Sequence, residues 1–421
     1  MPLTEIFVSI DGSTPEAQEI VSPNSALKLS MALSPKNNAK TLTDTLLKTM
    51  KGEIDPKSST RVDTFDKIIN GWTDSIDDIQ KFVTDEYFAN IDLKATAGVP
   101  VDPALKGKTI GRVFFDLSHP YQQADAKHYE AYAKSLGMTP LTIDGKANMD
   151  AMINAVGDLI AKKVDGIIVQ PLDGSAIAGS VIEAQKAGIP ILVFFQNVTG
   201  ASAPFVRINE YDVAVQMGEA AAKKAMEIWP GKPIKIGIIG QGDIEYVNEQ
   251  RVKPFVKGVQ NVAKDAAVVA ELNGGGARDK SLLAGEDLLQ SHPEVNIVYG
   301  INADSALGAL AAFQAGGRGK AENGIPKTEI FVSIDGSTPE AQEIVSPNSA
   351  LKLAMALSPK NNAKTLTDTL GKMMKGEIDP KSATRVDTFD TIINGWTDPI
   401  DKIQKFITDE YFATVDLKAQ K

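Results

Sequence analysis

Cysteine is absent from all 421 residues, which excludes disulfides, thiolate zinc sites, iron–sulfur clusters and a cysteine nucleophile together. Histidine is nearly absent: there are only His119, His128 and His292. None has the spacing of a zinc site, so no metal is expected, and His128 and His292 read as surface residues. No run of 18 or more apolar residues occurs, and no membrane-spanning helix is expected. Basic charge is in deficit, with 44 Lys and Arg against 54 Asp and Glu and a formal charge of −10. The concentrated basic patch that nucleic acid or an acidic membrane surface needs is missing, so neither is expected as a partner. Met1-Pro2-Leu3-Thr4-Glu5 lacks the basic and then apolar regions of a secretory leader. Two expectations remain, a processed or trimmed form of an exported protein or a protein kept inside the cell.

What is present is enough for a large core. Hydrophobic residues make up 43% and charged residues 23%, a globular composition, and the length suits two or three lobes of ordinary domain size. One self-similarity dominates the chain. Residues 4–95 recur at 328–419 with a constant offset of 324, and ten of the 92 aligned positions differ, among them Ser30/Ala354, Leu47/Gly371, Lys67/Thr391, Asp78/Lys402 and Val83/Ile407. Two long copies separated by residues 96–327 are not a solenoid, which needs many short stacking units.

The copied unit opens on an apolar strand, Glu329 to Ile334, whose sheet neighbours must come from the segment before it. The expectation is therefore a body with an extra copy of its C-terminal part at 1–95, joined by a linker at 96–107 that contains Pro100, Pro103 and Gly98. If the fold has one slot for the duplicated segment, the two copies compete for it. Gly371 in a helix costs copy two about 1 kcal/mol relative to Leu47, but copy two reaches its neighbouring strand through a short loop, and it is expected to fill the slot. Copy one is then expected outside the body, with a strand edge and apolar helix faces that favour a homo-oligomer.

From 108 onward, short apolar runs alternate with amphipathic stretches. The runs are 110–115, 166–169, 191–195, 234–239, 268–272, 295–299 and 330–334, and the helical stretches are 122–136, 150–163, 212–229, 280–290 and 304–315. Runs without polar alternation indicate strands buried on both faces and covered by helices, an α/β fold with parallel sheets. Polar and aromatic residues gather just after the strands, as at Ser118 to Gln123, Gln170 to Asp173, Gln196-Asn197, Asn302 to Asp304 and Asp335 to Ser337. One barrel with a functional rim and two open sheets with a crevice between them both fit that pattern.

Five motifs in order resemble one family. These are Phe114-Phe115-Asp116-Leu117-Ser118-His119-Pro120-Tyr121, Val164 to Pro171, Gly188 to Val193, Asn302 to Ala309 and Ile334-Asp335-Gly336. They are similar to the periplasmic sugar-binding proteins of ATP-driven importers, of the ribose-binding type, over about 108–375. The resemblance implies two doubly wound parallel-sheet lobes joined by hinge strands. Lobe one is expected at 108–207 and 358–421, and lobe two at 208–357. It implies a non-enzymatic protein of the periplasm that hands a small neutral sugar or polyol to a membrane permease. It also implies ligand contacts from His119, Tyr121, Gln122, Phe195, Gln196, Glu249, Asn302 and Asp335. Three departures stand out. The acid and arginine common after the fourth strand are Phe195-Gln196, the arginine common in the first helix of lobe two falls near Glu249, and the glutamine of the last hinge is Leu357.

The residue types agree with an uncharged guest. Hydroxyls need donors and acceptors fixed in advance, because an unpaired buried polar group costs about 1–3 kcal/mol, and Gln, Asn and Asp supply both kinds. Tyr121 and Phe195 offer ring faces to the apolar side of a sugar, and Gln196 in place of arginine removes a bidentate grip on an anion. Adjacent strand residues face opposite sides, so one of Phe194 and Phe195 is expected in the core and the other in the crevice. Asn302 and Asp335 can alternatively cap the helices that follow them.

Enzymatic readings meet obstacles. Gly240-Gln241-Gly242-Asp243-Ile244-Glu245 has a carboxylate where a dinucleotide loop has its third glycine, and Gly274 to Ser281 has Asp279 in place of the glycine before Lys280. No cofactor and no catalytic residue are expected. Two rival readings are the effector domain of a lac-repressor-type regulator and an NAD-dependent enzyme.

Overall fold

A strand covered on both faces favours apolar residues at consecutive positions, and Gly166–Val169 and Ile191–Phe194 are buried at every position. The computed structural model describes residues 102–420 except 243, 389 and 390. Before them it describes residues 7–11, 14–22, 27–32, 40–41, 43–45, 48, 51, 53, 67–70 and 74–87. The linker expected at 96–107 falls outside the described residues up to 101.

Copy one forms its own three-stranded sheet. Strand β1 (Phe7–Asp11) runs parallel to β2 (Leu27–Ala32), which pairs antiparallel with β3 (Lys67–Asn70). Helices Thr14–Val21 and Ile76–Tyr87 meet in a small core of Ala17, Ile20, Ile79 and Val83.

The body holds two six-stranded sheets. The first contains β4 (Thr109–Phe114), β5 (Thr139–Asp144), β6 (Gly166–Val169), β7 (Ile191–Phe194) and β8 (Phe205–Ile208). The second contains β9 (Lys235–Gly240), β10 (Ala267–Asn273) and β11 (Ile297–Gly300). A short hairpin, β12 (Ala321–Glu322) and β13 (Ile325–Pro326), leads into β14 (Ile330–Asp335) and β15 (Leu351–Ala356) of the second sheet. Strand β16 (Arg385–Thr388) then returns to the first sheet and β17 (Thr391–Asn394) to the second. The strand orders are β16-β8-β7-β6-β4-β5 and β10-β9-β11-β14-β15-β17. Within these two sheets every pair is parallel except β15 with β17. This is the two-lobed, doubly wound architecture, and copy two supplies β14, β15 and β17 of the second sheet.

Copy two repeats the pairing of copy one residue for residue. Phe331 faces Leu351 and Val332 faces Leu353 across the same register shift that takes Phe7 to Leu27 and Val8 to Leu29. The four core residues of copy one recur as Ala341, Ile344, Ile403 and Ile407, now inside the larger core of lobe two.

The topology corrects one expected boundary. Residues 358–421 do not all complete lobe one. Helix Pro359–Met374 packs on β6 and β7 and β16 extends the first sheet, but the chain then crosses back. Strand β17 covers the edge that β15 would otherwise expose. The amphipathic helix Ile400–Tyr411 buries Ile403 and Ile407 in the lobe-two core, together with Leu417.

Local signals set the helix ends. Ser337 and Glu340 close a capping box at Thr338–Val345, and Asn148 and Ser358 cap Met149–Ala161 and Pro359–Met374. At Gly137 the φ of +78° ends helix Pro120–Ser135, a conformation that costs glycine little. Beneath β4 the fully buried Arg112 forks onto Asp125 and lies 4.2 Å from the Phe114 ring centroid. Among the described residues no helix is long and apolar enough to cross a membrane.

Helices Glu210–Ile228 and Lys253–Val262 cross with backbones nearly touching. A Cβ on Gly258 would stand 2.0 Å from the Val215 carbonyl oxygen, and one on Gly218 would stand 2.2 Å from that of Phe255. Gly258→Val is therefore expected to lower stability by about 1–3 kcal/mol, read as a lower urea midpoint. An unchanged midpoint would contradict so close a crossing.

Candidate functional site

Parallel strands end on a common side of their sheet, and the residues just beyond those ends wall a cavity of about 110 Å³. Lobe one contributes Phe115, His119, Tyr121, Gln122, Gln170, Pro171, Leu172, Phe195 and Gln196. Lobe two contributes Gln241, Ile244, Tyr246, Val247, Arg251, Ile301, Asn302 and Asp335, and Leu357 lies where the chain leaves β15.

On the lobe-one wall, the first turn of helix Pro120–Ser135 presents Tyr121 and Gln122. Asn362 donates to the Tyr121 hydroxyl at 2.7 Å, which fixes the ring. Gln122 Nε2 donates to Gln170 Oε1 at 3.2 Å, while Gln122 Oε1 is buried with no hydrogen-bond partner among the described residues. Phe194 is fully buried in the core and Phe195 lines the cavity at a φ of +70°, a strained conformation for a bulky side chain. Gln196 lines the cavity too, but its amide donates to the carbonyls of Leu172 and Pro171 at 2.6 and 3.2 Å.

On the lobe-two wall, Asn302 follows β11 and is largely consumed as a cap. Its Oδ1 accepts from Ser305 N at 2.8 Å and its Nδ2 donates to Gly276 O at 2.9 Å. Asp335 ends β14 at a φ of +116°, and one of its oxygens accepts from Ala303 N at 3.1 Å. Burial is the main force on its carboxyl and pushes the pKa up to about 6, against the pull of Arg251 and the Ala303 amide. Arg251 grips Glu210 through Nε and Nη2 at 2.8 and 2.6 Å, and Nη1 donates to Ile301 O at 2.7 Å. Tyr246 stands edge-on to Phe195, with ring centroids 5.5 Å apart.

His119 joins the two lobes. It belongs to the loop after β4, and its Nδ1 lies 3.0 Å from Oδ2 of Asp304, in the first turn of helix Ala303–Ala315. Arg278 Nε donates to the other oxygen of Asp304 at 3.0 Å, and Asp116 lies 3.7 Å from His119 Nε2. Burial works against the imidazolium, yet the Asp304 hydrogen bond and charge, with Asp116 and Asp335, raise the His119 pKa overall.

Seven of the eight residues expected from the sequence wall this cavity, and Glu249 does not. Glu249 is exposed and pairs with Lys253, and Arg251 takes the place in the cleft. The reason is a π-helical turn at Asn248–Val252, whose wider ring re-phases the side chains that follow. The expectation of a cleft without arginine is corrected with it. Gln170, Gln241 and Tyr246 line the cavity as well; they lie in the polar and aromatic stretches that follow β6 and β9 in the sequence, but the resemblance did not place them among the ligand contacts. Nor is His128 a surface residue. It is partly buried, stacks on Phe412 with centroids 4.3 Å apart, and has its pKa lowered to about 4, chiefly by burial.

Comparison with known proteins places this geometry. A family model described as periplasmic binding protein domain matches residues 110–378. The ribose import binding protein of Bacillus subtilis (strain 168) is 26% identical over 271 residues, covering 64% of this chain and 82% of that one. Its namesake in Escherichia coli (strain K12) is 26% identical over 276 residues, covering 65% and 87%. Among solved structures, a galactofuranose binding protein superposes with a TM-score of 0.61 at 19% identity, covering 72% of this chain and 98% of that one. A Caulobacter myo-inositol binding protein bound to myo-inositol gives 0.60 at 19% identity, covering 74% and 99%. With strand ends, crevice and motif order in agreement, this chain belongs to the periplasmic binding protein domain family.

Proposed function

We propose that this chain is the solute-binding component of an ATP-driven importer, working in the periplasm, and that its lobes close over a small neutral sugar or polyol for delivery to a membrane permease. The observation that carries this reading is that polar atoms are left unmet on the cavity wall, the acceptors Gln122 Oε1 and the Asp335 carboxylate and the Tyr246 hydroxyl. A guest rich in hydroxyls supplies the missing donors, while Phe115, Tyr121, Phe195 and Tyr246 cover its apolar faces. The names of the relatives, ribose import binding proteins among them, support the same class of guest. The task of the site is recognition, so rigid donors and acceptors matter more than a nucleophile.

A thermal-unfolding screen of the full chain against pentoses, hexoses, inositols and NAD tests the reading. At a hundredfold excess over its Kd a bound sugar or polyol is expected to add about 2.7 kcal/mol of stability. Stabilisation by NAD alone would sink the proposal.

Asp335 couples binding to stability. Its raised pKa means that the folded state disfavours the charged form, a cost absent below the unfolded value of about 3.9 and fully present above about 6. Asp335→Asn is thus expected to raise the denaturation midpoint at pH 7, to lose that gain toward pH 4, and to weaken sugar binding roughly tenfold or more through the lost charged acceptor.

The His119–Asp304 bridge has the opposite sense. A raised histidine pKa stabilises the fold fully below about 6.5, and the contribution is lost as pH rises through the folded-state value. The stability deficit of His119→Gln should therefore shrink between pH 6 and pH 9 in urea titrations. A deficit independent of pH would remove charge from the bridge.

A further inference from the structure

We propose that Glu210, which does not line the cavity, is a positioning residue that sets the guest's charge: it neutralises Arg251 and so reserves the cleft for uncharged polyhydroxy compounds over their carboxylate analogues. This inference rests on the sugar-binding reading of the same cavity and names the step that makes it selective.

Glu210 opens helix Glu210–Ile228 and is fully buried. Both of its oxygens are engaged by the Nε and Nη2 edge of Arg251, the edge whose parallel N–H groups match a carboxylate or phosphate. The fork an anionic sugar would use is already filled by a carboxylate of the protein. Nη1 is held by Ile301 O, so three of the five guanidinium N–H donors are committed and at most two can serve a guest. Single N–H donors suit hydroxyl oxygens, which accept one bond at a time.

Charge points the same way. The guest meets one guanidinium, Arg251, already balanced by Glu210, together with the carboxylate of Asp335 on the same cavity wall. At the mouth His119 and Arg278 are both engaged by Asp304. A carboxylate entering this cavity would find its natural cation neutralised and a like charge beside it, in surroundings where water screens little.

The arginine that sequence comparison with the family misplaces at Glu249 is thus present, but in a form that does not attract anions. Aromatic residues flank Arg251: its guanidinium carbon lies 6.0 Å from the Phe195 ring centroid, and the hydroxyl of Tyr299, which stacks on Phe255, donates to the Arg251 carbonyl oxygen at 3.4 Å.

The test measures Kd on the full chain by calorimetry at pH 7 for the neutral sugar or polyol that stabilises the wild type best and for its aldonate or uronate. The wild type is expected to bind the acid at least a hundredfold more weakly. Glu210→Gln, which leaves Arg251 cationic, should narrow that ratio at least tenfold, and Glu210→Asp should keep it. A wild type that binds acid and neutral compound equally overturns the inference without any variant, and so does an unchanged ratio in Glu210→Gln. Should the single variant fail to fold, the Glu210→Gln/Arg251→Gln double removes both buried charges and is expected to exclude the acid as the wild type does; uptake of the acid overturns the proposal. If no neutral sugar or polyol binds the wild type, the sugar-binding reading itself has failed, an outcome distinct from a neutral guest bound with an unaltered ratio.

Discussion

A sheet buried on both faces admits a polar side chain within a strand only with a buried partner, as Arg112 has in Asp125, and otherwise leaves polar groups beyond the ends of its strands; that constraint organises the whole body. Gln170 directly follows β6, Phe195 follows β7, Gln241 follows β9, Asn302 stands two residues past β11, and Asp335 is the last residue of β14. The strands run parallel because helices cross over between them, so these residues leave each sheet on one side. The cleft is the place where the two sets of strand ends converge.

Within the cleft, the division between satisfied and unsatisfied groups decides what can bind. Asn302 is absorbed in capping, Gln196 in holding the loop at Pro171 and Leu172, and Arg251 in its fork with Glu210. What remains pairs acceptors, Gln122 Oε1 and Asp335, with the Tyr246 hydroxyl and the N–H donors of Arg251 that Glu210 and Ile301 leave over. Backbone strain is present here too. Phe195 and Asp335 both hold positive φ without being glycine, a conformation that persists only where the surroundings enforce it and that commonly marks a working site.

The duplicated segment offers an internal control on how locally structure is encoded. Ten differences in 92 positions leave the β1–β2 and β14–β15 ladders in the same register, down to the shift after their first pair. Strand pairing within the unit therefore follows from the unit's own apolar pattern. Context decides the rest: in copy two the repeated core residues join a cluster that spans β11, the helix Ala303–Ala315 and the C-terminal helix.

Much of this was legible in the chain itself. Short, unbroken apolar runs announced β4, β6, β7, β9, β11 and β14, and the resemblance carried by the motifs after them named seven of the residues that line the cleft. Strands without such a run escaped: β5 reads Thr-Pro-Leu-Thr-Ile-Asp and lies at a sheet edge, and β16 is an edge strand only four residues long. Sequence by itself determined the α/β class and the alternation of the central strands with helices, because burial on both faces leaves its mark on consecutive residues. Only the tertiary structure decided that Arg251 and not Glu249 enters the cleft, that β17 returns to lobe two, and that Glu210 holds the arginine. Each depends on partners far along the chain or on the phase of a non-α turn, which no local pattern of apolar and polar residues records.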